Sequence, residues 1–218
     1  MIKIGIEING PLRDTVGKFK QLYEKYLIDG NFNEFTGKIY KLDTSGNTEE
    51  TLVEEFNYEI LSEIDSLDMM KHFSFRNSEE LFSFMFEEYT MELFGHAQSS
   101  EMNTFNVLND LYVELRDKYD MSIISDEIGK SKPSSLFFLS KFGCLIEKVI
   151  FYNDFTKDSI LNSFDILLTS KPDLLLKKDT NQVIVKYNTN YNKHISSKYE
   201  INSLSEFGDM IKKITEDV

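Results

Sequence analysis

The chain has 218 residues, 41% of them hydrophobic and 13% aromatic, enough apolar material for a sizeable core and too much for a disordered tail. Lys+Arg number 24 against 37 Asp+Glu, so the net charge is 24 − 37 = −13, and with no Lys/Arg run this acidity argues against nucleic-acid binding. One cysteine, Cys144 in apolar "FGCLIEKVIF", excludes an intrachain disulfide and reads as a small buried hydrophobe, while the lack of a long apolar run or signal-like start predicts a soluble, cytoplasmic protein away from membranes.

In chain order, "IKIGIEI" (2–8) alternates and is rich in Ile, which predicts a strand ending at Asn9-Gly10-Pro11. Residues 14–28, "DTVGKFKQLYEKYLI", carry apolar side chains at helical spacing, and 29–47 read as loop with short extended pieces. Two similar helix starts follow, "GNTEETL" (46–52) and "RNSEELF" (76–82), each with an Asn cap and a Glu three residues later. The helix predicted from Ser78 to about Phe94 is apolar nearly all round, as suits the centre of a helical subdomain. Another helix is expected over about 101–118.

The rhythm then changes. Strands are predicted at 121–125, 147–152, 164–170 and 181–187, with a Pro-opened helix at 133–142. A closing helix at 202–214 has Ser203 and Glu206 spaced for a capping box. Strands alternating with helices predict right-handed crossovers and an α/β fold, a parallel sheet with helices on both faces. Residues 1–14 and 96–218 form this core, and 15–95 form a mostly helical insertion after the first strand.

That order resembles the haloacid dehalogenase (HAD) superfamily, with a Rossmannoid core and a helical cap. The nearest subgroup by resemblance is the 5'(3')-deoxyribonucleotidase-like proteins of phages and bacteria. "IGIEINGPLRDT" stands where the family has Asp-x-Asp-Gly-x-Leu, which puts Glu7 and Asn9 at its two acids. "SIIS" places Ser125 at the Ser/Thr of the second motif, and "VIFYNDFTKDSI" offers Lys157 as the lysine of the third. "FDILLTSKPDLL" puts Thr169 and Ser170 where the closing acid pair belongs.

The resemblance implies that the first acid attacks phosphorus and ligates Mg²⁺, and that the second moves the leaving-group proton. Glu7 retains a carboxylate, but its extra methylene displaces the oxygens by about 1.5 Å, and a shift near 1 Å can cost ~10²-fold in rate. Asn9 has no titratable proton near neutral pH. Thr169 and Ser170 are neutral, so one family carboxylate remains for a metal that favours several. Ser125 and Lys157 are the residues that would bind the phosphoryl group, and each reads equally well as a turn cap and a solvated lysine. Glu7, Asn9, Ser125, Lys157, Thr169 and Ser170 are therefore expected to form a vestigial pocket without competent catalysis, metal or cofactor.

The expected function is that of a pseudoenzyme, a pseudo-phosphatase whose catalytically degenerate fold is put to a structural or protein-interaction role. Its partner is a protein or another copy of itself, and a bacteriophage virion or assembly component fits the phage-like resemblance. Two alternatives stay open. One is an Mg²⁺-dependent nucleotidase or phosphatase with a rebuilt site; the other is a nucleotide or phosphate sensor that does not hydrolyse. His72, His96 and His194 lack metal-ligand spacing, and no Gly-rich nucleotide loop is present.

Overall fold

The computed structural model describes residues 1–29, 39–42, 48–51, 56–176 and 182–216. β1 (Ile2–Glu7) alternates Ile with Gly and Glu, and it lies inside a six-stranded sheet. The antiparallel pair β2 (Ile39–Leu42) and β3 (Thr48–Thr51) stands apart from that sheet. β4 (Tyr119–Ser125), β5 (Val149–Phe151), β6 (Ile166–Thr169), β7 (Val183–Tyr187) and β8 (Tyr199–Ile201) complete the main sheet in the order β5-β4-β1-β6-β7-β8. Every pairing in it is parallel. The expected α/β class is what the structure has, and the first strand lies centrally, between β4 and β6.

Helices cover both faces, as parallel strands joined by crossovers require. Ile4, Ile6, Ile123 and Leu168 point into one core with α3 (Thr104–Leu115), α4 (Ser131–Lys141) and α7 (Phe207–Glu216). Alternate residues such as Ile124 and Leu167 point the other way, to a smaller core with α5 (Lys157–Leu161) and α6 (Pro172–Leu175). Gly5 faces this second side, where an added Cβ would stand 3.1 Å from the Phe164 ring. The close strand–ring packing therefore depends on the missing side chain.

Residues between Val16 and Phe94 have a core of their own around Phe19, Tyr23, Phe73 and Phe84. The rings meet edge-on, as between Phe19 and Phe73 at 5.0 Å, the geometry that aromatic quadrupoles favour. α1 (Thr15–Tyr23) enters it with Asp14 as cap, accepting from Gly17 N at 2.8 Å. α2 (Ser78–Ser83) is capped by Asn77, and Glu80 reaches back to Arg76 N at 2.6 Å, close to the pattern expected.

Several elements differ from the sequence-based expectation. The "GNTEETL" segment holds β3 instead of a helix start: Thr48 and Thr51 are β-branched, and β2 supplies a hydrogen-bonding ladder. Its flanking residues 43–47 and 52–55, like 30–38, lie outside the described residues. The long helix from Ser78 is divided into α2 and wide π turns at Phe84–Glu88 and Met91–Gly95. The break falls at Tyr89, whose φ of −111° and ψ of 22° leave the helical region. At the last helix, Glu206 does not close the box. Glu101 caps this turn from afar instead, accepting from Ser203 Oγ at 2.7 Å and Leu204 N at 2.9 Å. Strand β8 and the short helices α5 and α6 had no separate signal.

Candidate functional site

The strands converge at their carboxyl ends, where the chain leaves β1, β4 and β6. Open parallel sheets bind ligands at such a crevice. Glu7, Ser125, Thr169 and Ser170 are all buried there, each exposing 1% or less. Asn9 joins them through its amide, which makes a long 3.5 Å contact to Ser125 Oγ. Its backbone carbonyl accepts from Ser170 Oγ at 3.1 Å. Gly10 makes that approach possible: its φ is +94°, and an added Cβ would lie 1.9 Å from Ser170 Oγ.

The polar groups form two networks, one on each side of β1. On the α5/α6 side, Glu7 Oε2 accepts from Thr169 Oγ1 at 2.5 Å, and Glu7 Oε1 accepts from the Tyr152 hydroxyl. Lys171, just beyond β6, turns its ammonium inward. Its Nζ stands 3.2 Å from Glu7 Oε1, 2.6 Å from Asp126 Oδ2 and 2.9 Å from the Tyr152 hydroxyl. Burial pushes the Glu7 carboxyl above its ordinary range, with Lys171 working in the opposite sense. Burial works to lower Lys171, but Glu7 and Asp126 prevail and hold its ammonium well above the usual value. Asp126, half exposed, is drawn down: against desolvation, which would raise it, the charge and hydrogen bond of Lys171, its own backbone N–H and the more distant Lys157 together prevail.

On the α4 side, the centre is Arg13, a fully buried guanidinium. It pairs with Glu127, whose side chain is also buried. It donates to Phe94 O at 2.7 Å, Ser135 Oγ at 2.6 Å and Asn9 Oδ1 at 2.7 Å. Thr15 Oγ1 donates to the same Asn9 oxygen at 2.6 Å. The guanidinium carbon lies 5.0 Å from the Phe94 ring centre and 5.3 Å from that of Phe138, within cation–π range. Burial lowers the Arg13 pKa, and Glu127 opposes that shift. Glu127 Oε1 also accepts from Ser135 Oγ at 2.9 Å and Ser125 Oγ at 3.2 Å.

Five of the six expected pocket residues thus meet at one end of the sheet. Lys157 takes a different place. It opens α5, remains partly exposed and pairs with Asp173, although its charge still helps to hold Asp126 ionised. The inward ammonium is Lys171 instead. Lys171, Asp126, Glu127, Tyr152 and Arg13 lie outside the positions at which the family motifs carry their chemistry, so the resemblance does not point to them. The available signal was adjacency: Asp126-Glu127 directly follow Ser125, and Lys171 directly follows Ser170.

The resemblance to the HAD superfamily implies a divalent ion in this crevice, and the donor set fits one poorly. Mg²⁺ binds oxygen at about 2.0–2.1 Å and is held by carboxylates and waters. Glu7 and Asp126 already share an ammonium, and Thr169 and Ser170 bring no charge. Among the described residues, no three His, Cys, Asp or Glu side chains are grouped to hold a metal. No described helix is long and apolar enough to cross a membrane.

No family model matches the sequence. No curated protein matches it either. Solved structures do match in fold. A haloacid dehalogenase-like hydrolase from Burkholderia xenovorans LB400 superposes with a TM-score of 0.56, covering 97% of both chains at 12% identity. A structure described as a dehalogenase gives a TM-score of 0.47 at 11% identity over 96% of both chains. The first of these likenesses makes the α/β architecture that of the HAD-like hydrolases; at such identity it concerns the fold alone.

Proposed function

We propose that this chain is a non-catalytic protein on a HAD-like fold, acting through its surface rather than its crevice. The observation that carries the reading is the state of Glu7. One of its oxygens is bonded by Tyr152 and faces Lys171, and the other is bonded by Thr169, in a place with 1% exposure. A nucleophile needs a lone pair directed at its substrate, and a general acid needs a proton to give. Asn9 has none to give, and its side-chain oxygen is held by Arg13 and Thr15. Both groups serve internal bonding instead.

A protein partner or self-assembly is the complementary part of the proposal. Phe155, in the loop after β5, exposes 98% of its surface, and Leu136 and Phe137 project from α4. The motif-level likeness to phage-carried nucleotidase-like proteins extends the proposal to a virion or assembly component. The purified protein, given Mg²⁺ with p-nitrophenyl phosphate and with nucleoside 5'- and 3'-monophosphates, should release phosphate no faster than its Glu7→Gln variant. Turnover that Glu7→Gln abolishes would overturn the reading. Co-purification from the native source should identify the partner.

A further inference from the structure

We infer that Lys171 is the crevice's own cation, standing where a divalent ion would have to bind, and that removing it turns Glu7 and Asp126 into a divalent-cation site. The inference concerns metal rather than turnover, so it stands apart from the proposed function and is read by binding alone.

Three facts support it. First, the Lys171 ammonium has three N–H donors and three oxygens around it: Glu7 Oε1 at 3.2 Å, Asp126 Oδ2 at 2.6 Å and the Tyr152 hydroxyl at 2.9 Å. These are the oxygens, two of them from carboxyl groups, that a hard cation would seek. Second, the ammonium is largely buried, its side chain 11% exposed, against the buried Glu7 and Tyr152, while Asp126 closes the site from its solvent side. It therefore takes up the position rather than visiting it from solvent. Third, the chain path holds it there. Lys171 N donates to Thr169 Oγ1 at 3.0 Å, and Pro172 opens α6 immediately afterwards, which fixes the direction in which the side chain leaves β6. An ammonium and a divalent ion cannot share these oxygens, because like charges at such separation repel strongly in a low-dielectric site. With the ammonium gone, two neighbouring carboxylates lose their counter-charge, and a small dication is the species best able to restore it.

Thermal melts in Mg²⁺ and in Mn²⁺ test this on the whole chain, with calorimetric titration as a second readout. The wild-type melting temperature should not move with millimolar Mg²⁺ or Mn²⁺. Lys171→Ala should melt lower in metal-free buffer, then rise by about 3 °C or more with either ion, as binding to the native state alone requires. A wild-type rise as large as that of the variant would overturn the inference, and so would a folded Lys171→Ala protein indifferent to both ions. If Lys171→Ala folds only when metal is supplied, the inference is supported. The Glu7→Gln/Lys171→Ala double variant covers outright failure to fold. It removes the unpaired buried carboxylate, so it should fold and should ignore both ions. A double variant that folds beside a single variant that stays unfolded in saturating metal would count against the inference. Failure of both variants to fold would overturn it too, by assigning the role of Lys171 to its aliphatic stem.

Discussion

Arg13 is the most heavily bonded side chain in the molecule's crevice, and burial makes each of its bonds consequential. Removing one partner of a buried ion pair costs about 3–5 kcal/mol, because the other charge is stranded. Arg13→Met should therefore destabilise by that amount in urea unfolding. Arg13→Met with Glu127→Leu should recover a large part of the loss, and strict additivity of the two single changes would contradict the coupling. Glu7 makes a different prediction, through pH. Its native pKa is raised above the 4.5 of an ordinary glutamate by burial. A raised value means that its contribution to stability is full below the unfolded pKa and is lost as pH rises through the native one. Unfolding free energies should thus move in favour of Glu7→Gln, relative to wild type, on going from about pH 4.5 toward neutrality. A constant difference across that range would show that Glu7 titrates alike in both states. At this scale the sequence was half legible. Strand ends located Glu7, Ser125, Thr169 and Ser170, because a parallel sheet gathers its carboxyl ends. Lys171 and Arg13 could not be found that way, since an inward or outward rotamer of a long cation is decided by partners distant in sequence.

The junction between α3 and α7 is held by one side chain that belongs to neither helix body. Glu101 accepts from Ser203 Oγ, from Leu204 N and from Tyr187 Oη at 2.9 Å, and so ties the start of α3 to the turn that opens α7. Phe207, Ile211 and Ile214 then bury one face of α7, and each fully buried side chain of this size contributes roughly 1.5–3 kcal/mol. Glu101→Ala should cost about 1–3 kcal/mol, the range for leaving buried donors unpaired. Burial alone would raise the Glu101 pKa, but bonds from Leu204, Ser203 and Tyr187 bring it below 4.5. Its contribution is therefore present above that value and lost as pH falls through the native one, so wild type and Glu101→Ala should converge in stability in acid. The two helices themselves were legible in the sequence. Their joint was not, because Ser203 and Glu206 offered a local box that a residue a hundred positions away displaced. Thr48–Thr51 forms a strand instead of a helix start for a related reason: cap-like letters can be overruled by a strand partner.

At the scale of the whole molecule, alternation of strand and helix was enough to predict a parallel α/β sheet, while the order of its strands around β1 comes from pairings distant in sequence. A second aromatic core under residues 16–94 sits beside it, joined to the sheet layer where Arg13 reaches Phe94 O. A chain ended at Lys118 contains neither neighbour of β1, and circular dichroism should find it without the parallel-sheet signature. A native-like β signal from that fragment would contradict the strand order. The same order has a cost in time. Ile2 pairs with Tyr119, 119 − 2 = 117 residues on, and Ile4 pairs with Ile166, 166 − 4 = 162 residues on. At a synthesis rate of about 5–20 residues per second, Ile4, Ile6 and Ile8 wait roughly 6–23 s on the ribosome before the first of these partners exists. Throughout that wait the strand destined for the centre of the sheet is a bare apolar segment. The nascent chain should accordingly be a client of ribosome-associated chaperones up to the emergence of β4, and much less so once β6 has followed.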